Sequence, residues 1–113
     1  MKDCLFCKII DGEIPSEKVY ESETVLAFKD INPQAPVHIL VIPKIHIESL
    51  NDVTEDNIGV VAEVMLVAKQ LAAEFNLQNG YRIVTNIGEN GGQTVHHLHF
   101  HILGGEKLTE KMC

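Results

Sequence analysis

Three histidines stand at alternate positions in one short segment: His97, His99 and His101, with Leu98, Phe100 and Ile102 after each in turn. In an extended chain residues two apart share a face, so the imidazoles line one side and the apolar residues the other. Neighbouring rings then sit about 6.6 Å apart by strand rise. A lone histidine opposite a core is usually a packed core residue, but strict alternation of three is not accounted for that way. Two kinds of chemistry fit. His-x-His on a strand can offer two imidazoles to one metal ion, as in a cupin-type site. Glu106 follows at a plausible distance for that, although the flanking glycines do not fall in place. Alternatively, one imidazole is a nucleophile toward phosphorus and a neighbour relays protons. The loop Ile87-Gly88-Glu89-Asn90-Gly91-Gly92 would then cradle phosphate. Gly88, Gly91 and Gly92 would permit close backbone approach, with Gln93 and Thr94 as polar groups beside the strand.

The elements that must position this segment can be read along the chain. Leu5 to Ile10 reads as a short helix, closed by Asp11-Gly12 and Pro15. Val19 to Glu21 and Thr24 to Phe28 read as strands of a hairpin whose Ser22-Glu23 turn lacks the Gly or Asn that tight turns favour. Asp30 to Pro36 must be a loop, and His38 to Ile42 is an apolar strand ended by Pro43. A long helix is expected from a cap at Asp52, with Glu55 as its capping-box partner, to about Asn76, with Gly80 in the exit turn. Tyr81 to Asn86 and His97 to Leu103 read as the last strands, with His96 on the Leu98 side. Short connections around one long helix predict an α+β fold with a mostly antiparallel sheet. The helix is apolar on more than the one face a sheet can cover, which points to a homodimer interface.

Composition bounds the function. The chain has 113 residues, room for one domain, with a core from about residue 4 to 105 and a short tail over 106–113. Hydrophobic residues make up 45% and charged residues 22%, which excludes a disordered chain. Nine basic residues against 16 acidic ones give a net charge of −7, with no Lys or Arg run to grip nucleic acid. No stretch is long and apolar enough to span a bilayer, and no signal-peptide pattern opens the chain, so a cytoplasmic protein without membrane contact is expected. Cys4, Cys7 and Cys113 are then reduced thiols or metal ligands. Cys4-x-x-Cys7 is half of a zinc-ligand pattern, and equally a redox pair or two buried thiols.

The alternating histidines, with apolar residues between and after them, resemble the signature of the histidine-triad (HIT) superfamily. The resemblance extends over Phe6-Cys7-Lys8-Ile9-Ile10, Gly12-Glu13-Ile14-Pro15, Ala27-Phe28-Lys29-Asp30-Ile31, Pro33-Gln34-Ala35-Pro36, Val41-Ile42-Pro43-Lys44 and Gly91-Gly92-Gln93. These segments are similar to the Hint branch, the purine nucleoside phosphoramidases. The tail from Glu106 departs from the tryptophan-containing ending of the animal members. The resemblance implies a HIT fold of about five strands with one long and one short helix, whose sheet continues across a homodimer. It implies hydrolysis of purine nucleoside 5′-phosphoramidates through a nucleotidyl-histidine, with dinucleoside polyphosphate hydrolysis or nucleotidyl transfer as alternatives on the same nucleophile. A nucleotide-binding or scaffolding protein with incidental turnover is a further alternative.

Residue by residue, the resemblance makes His99 the nucleophile, His101 a contact to phosphate and His38 a relay histidine. Asn86, Gln93 and Thr94 fall on the phosphate side, with Thr94 where the branch commonly has Ser. Asp30 accepts from the ribose hydroxyls, and Phe6, Ile9, Phe28 and Ile31 line the purine pocket. Some bacterial members carry zinc on a Cys pair, a further His and the first triad His. Here those positions are Cys4, Cys7, His46 and His97.

Overall fold

The computed structural model describes residues 3–111, so Cys113 lies outside the described residues. Helix α1 (Leu5–Ile10) leads into strands β1 (Lys18–Glu21), β2 (Val25–Lys29) and β3 (Val37–Pro43). Helix α2 (Ile58–Glu74) precedes β4 (Arg82–Val84) and β5 (Phe100–Gly104). The strands form one sheet in the order β1-β2-β3-β5-β4, antiparallel at every pairing. The α+β expectation, with five antiparallel strands, one long helix and one short one, is met. Among the described residues no helix is long and apolar enough to cross a membrane.

The central strands are apolar on both faces because both faces are covered. Val25, Ala27, Ile39, Val41, Phe100 and Ile102 pack under α2 against Val61, Val64, Ala68 and Leu71. Leu26, Phe28, Leu40 and Ile42 pack on the other face against Phe6 and Ile9 of α1. Side-chain alternation puts His38 on the α1 face of β3 and His101 on the same face of β5, where Leu40 is paired with His101. The β1–β2 turn needs no glycine, because the Ser22 hydroxyl accepts from the N–H groups of Thr24 and Val25.

Three boundaries differ from expectation. Asp52 does not cap α2: Leu50–Asp52 is a 3-10 turn capped by Ser49, and Val53 is extended. Thr54 N–H then donates to Asn57 Oδ1 at 2.7 Å, so local side-chain bonds delay the helix to Ile58. The exit is made at Asn76 (φ 61°) and not at Gly80. Asn76 N–H donates to the Ala73 carbonyl and Leu77 N–H to that of Ala72, the paired bonds of a Schellman cap. The last strand begins at Phe100, so His97 and His99 precede it. Their segment is held elsewhere, with Leu98 N–H donating to Ile47 at 2.6 Å and Thr85 Oγ1 to the His99 carbonyl at 2.8 Å. His96 lies in the bend there and is exposed, so it does not join Leu98 in the core.

The outer face of α2 remains apolar, with Ile58 and Leu66 exposed beside Ala62 and Ala73. Ile83 on the edge strand β4 is exposed too, and its pairing with Ile102 puts it on the α2 side of the sheet.

Candidate active site and metal site

Backbone groups fix the hydrogen on His38, His97 and His99, and His38 in turn fixes that on His101. His99 Nδ1 lies 2.6 Å from the carbonyl of His97, so Nδ1 carries the hydrogen and Nε2 keeps its lone pair. Gln34 N–H donates to His38 Nδ1 at 3.0 Å, which places the hydrogen of neutral His38 on Nε2. That Nε2–H donates to His101 Nδ1 at 2.8 Å, leaving His101 an N–H at Nε2. His97 Nε2 donates to the Pro43 carbonyl at 2.8 Å, which leaves its Nδ1 an acceptor. Burial holds His38 and His99 below the ordinary histidine range and pushes His97 and His101 down to about 4. All four are therefore neutral at pH 7. The Phe6 ring stands edge-on to His99 at 5.0 Å, to His97 at 5.9 Å and to Phe28 at 5.6 Å.

Asp30, expected at the ribose, is also a partner of His38: its Oδ2 lies 3.4 Å from His38 Nε2. Its Oδ1 accepts from Asn32 N–H at 2.8 Å. The β2–β3 register joins the two residues, because Asp30 N–H donates to the His38 carbonyl. The glycine-rich loop corrects the expected backbone cradle. Gly91 and Gln93 N–H groups donate to the Gly88 carbonyl, Gly92 N–H to Glu89, and Gly88 N–H to Gln93 Oε1. These amides close turns within the loop. Gly91 is required there because a Cβ would meet the Ile87 carbonyl oxygen at 2.3 Å. Gln93 is a brace for the loop, its amide nitrogen donating to the Glu48 and Val95 carbonyls. Asn86 donates to the Gly91 carbonyl, and Thr94 is exposed. Phe6, Ile9 and Phe28 are core residues with little free surface, whereas Ile31 is 90% exposed.

The sequence did not single out three groups that set this geometry: the Gln34 amide, the Pro43 carbonyl and the Thr85 hydroxyl. Only the hairpin register of β2 with β3 could have pointed to the first, since it places the 30–38 loop over His38.

Beside His97 lies a second cluster. Cys4 caps α1, its Sγ accepting from Cys7 N–H at 3.2 Å. Cys4 Sγ is 3.3 Å from His97 Nδ1; Cys7 Sγ is 3.6 Å from that atom and 3.4 Å from His46 Nδ1. Zinc bond lengths at a tetrahedral angle would separate sulfur and nitrogen ligands by about 3.6 Å. Burial and Cys4 push the Cys7 thiol up to about 11, a cost that a bound cation would offset. The four residues could hold a metal ion, their ligand atoms lying within 4.8 Å of one another. The three alternating histidines do not form such a group among the described residues. Asp30, His38 and His101 do, without His97 or His99.

Residues 3–112 match the family described as "Scavenger mRNA decapping enzyme C-term binding". An uncharacterized HIT-like protein of Synechococcus elongatus is 50% identical over 107 residues, covering 95% of this chain and 94% of the relative. A HIT family hydrolase from Clostridium thermocellum superposes with a TM-score of 0.97 at 45% identity, over 100% of this chain and 99% of that one. A histidine triad nucleotide-binding protein from Candida albicans superposes with a TM-score of 0.81 at 34% identity, over 98% of this chain and 87% of that one.

Proposed function

The chain belongs to the HIT-like family of histidine-triad proteins, and on that premise we propose that it is a cytoplasmic hydrolase of purine nucleoside 5′-phosphoramidates, adenosine 5′-monophosphoramidate among them. The observation that carries the reading is the fixed tautomer of His99, a neutral buried imidazole with its Nε2 lone pair unpartnered among the described residues. Its likeness to a HIT family hydrolase and to a nucleotide-binding member supports the same reading.

His99 Nε2 attacks the α-phosphorus; the Nε2–P bond forms and the P–N bond to the amine breaks. Water then forms a P–O bond as the Nε2–P bond breaks, releasing the nucleoside monophosphate. In sum one water is consumed: its hydroxyl stays on phosphorus and its proton leaves with the amine. His101 Nε2–H faces the charge that develops on the phosphoryl oxygens, and the Gln34–His38–His101 chain holds that hydrogen in place. Asp30 takes the ribose, Ile31 offers apolar surface to the base, and Asn86 and Thr94 flank the phosphate. Phe6, Ile9 and Phe28 form the floor of the pocket.

Zinc on Cys4, Cys7, His46 and His97 would be structural, a closed set of four ligands that ties the N-terminal segment to the triad segment. The His97–Pro43 bond orients the ring for that role.

The test is product analysis with adenosine 5′-phosphoramidate and with a diadenosine polyphosphate. AMP and ammonia from the first, faster than any product from the second, are expected. The reverse order would favour a dinucleoside polyphosphate hydrolase, and no product from either would favour a nucleotide-binding protein.

The protein works as a homodimer joined through the outer face of α2 and the β4 edge, where Leu66, Ile58 and Ile83 are exposed. Sedimentation at micromolar concentration should give about twice the 12.6 kDa chain mass. Leu66→Glu should shift it to one chain mass. A wild-type monomer at every concentration would remove this interface.

A further inference from the structure

His99 stands just past the end of the sheet. The β4–β5 ladder pairs Arg82 with Leu103, Ile83 with Ile102 and Val84 with His101, and β5 begins at Phe100. Carried further, the register would set Thr85 opposite Phe100 and Asn86 opposite His99. The ladder does not go that far, because the chain leaves β4 for the glycine-rich loop and Asn86 turns its side-chain amide to the Gly91 carbonyl. The His99 carbonyl is taken instead by the Thr85 hydroxyl, which donates to it at 2.8 Å.

Three bonds then place the nucleophile. Leu98 N–H donates to the Ile47 carbonyl at 2.6 Å and holds the chain before the ring. His99 Nδ1–H donates to the His97 carbonyl at 2.6 Å and holds the ring itself. Thr85 holds the peptide after it. Of these donors, Thr85 alone is a side chain from outside the segment. It does not face the substrate side: Val84 and Asn86 border the cavity beside His101, and alternation turns Thr85, between them, the other way. The bond from His99 Nδ1 to the His97 carbonyl closes over the backbone torsions of Leu98 and His99, so it keeps its length only while those torsions are held. Once they relax, the tautomer with its hydrogen on Nε2 competes, and that form has no lone pair to offer phosphorus.

We propose that Thr85 is a positioning residue for the nucleophile, its hydroxyl fixing the His99 peptide so that Nδ1 keeps the hydrogen and Nε2 the lone pair. The consequence for attack rests on the phosphoramidase reading; the consequence for the tautomer does not.

The test pairs Thr85→Val, which keeps the shape and removes the donor, with Thr85→Ser, which keeps the donor. Thr85→Val should lower kcat on adenosine 5′-phosphoramidate about tenfold or more, as for a nucleophile displaced by a fraction of an ångström. AMP affinity by calorimetry should stay within about twofold in both variants, and kcat of Thr85→Ser within about threefold of wild type. Nitrogen-15 NMR of histidine-labelled protein gives a readout without turnover. In wild type and Thr85→Ser, His99 should show Nδ1 protonated and Nε2 bare. In Thr85→Val both His99 signals should move toward the average of the two tautomers, with those of His38 and His101 unmoved. Thr85→Ala, which also lacks the donor, carries the same comparison should Thr85→Val not fold. Wild-type kcat in Thr85→Val, or unmoved His99 signals, would overturn the assignment. Equal losses in the Val and Ser variants, with all the histidine signals moving together, would overturn it too and make Thr85 a packing residue. No turnover by the wild type, with His99 signals that still move in Thr85→Val alone, would remove the phosphoramidase reading and leave the positioning role standing.

Discussion

His99→Gly is expected to lower turnover of a nucleoside phosphoramidate by at least about 10⁴-fold while leaving AMP affinity within a few-fold, because the ring makes the bond to phosphorus and little of the binding. The geometry behind the size of this effect is the His99–His97 carbonyl bond of 2.6 Å, which commits Nδ1 to donation and leaves Nε2 for attack. Glycine removes the nucleophile with no new group to substitute for it, and water attacking directly lacks that pre-positioned lone pair. Rapid acid quench of the wild type with phosphorus-labelled substrate should trap label on protein, and peptide mapping should place it on His99. A His99→Gly protein that keeps a tenth of wild-type turnover would refute the assignment.

The second large effect is on stability. Wild-type protein should co-purify with one zinc per chain, and Cys4→Ser should lose it, since a hydroxyl is a poor replacement for a thiolate on zinc. A ligand present at a thousand times its dissociation constant stabilises the folded state by about 4 kcal/mol. For a domain of this size that corresponds to a melting temperature lower by about 15 °C or more in the variant. A chelator should shift the wild type in the same direction, and should lower melting temperature before it lowers the initial rate of still-folded enzyme. The reason is positional. The four ligand atoms converge on one another, and His97 turns its other nitrogen to Pro43 and not toward His99. Metal analysis beside melting curves decides the point: stoichiometric zinc in Cys4→Ser would rule out the four-ligand site.

The division of labour between chain and fold follows from range. Alternation of His97, His99 and His101 with Leu98, Phe100 and Ile102 is local, so which residues share a face was legible from spacing alone, even though the ladder itself starts only at Phe100. The five strands and two helices were legible for the same reason, since their apolar periods are set by neighbours along the chain. Helix ends were not. Side chains at Ser49, Thr54 and Asn57 competed with the expected cap at Asp52, and Asn76 took the left-handed position assigned to the Gly80 turn. The loop glycines were legible as turns, but their amides, satisfied by Gly88, Glu89 and Gln93, close the loop on itself. What only the tertiary structure decided is which nitrogen of each histidine is free. A buried imidazole takes its tautomer from the carbonyl or amide that packing brings to it, and those partners are the His97 carbonyl, the Gln34 amide and the Pro43 carbonyl. The sequence names the imidazoles. Contacts across the sheet, as far as 63 residues apart for His38 and His101, determine which atom each one presents.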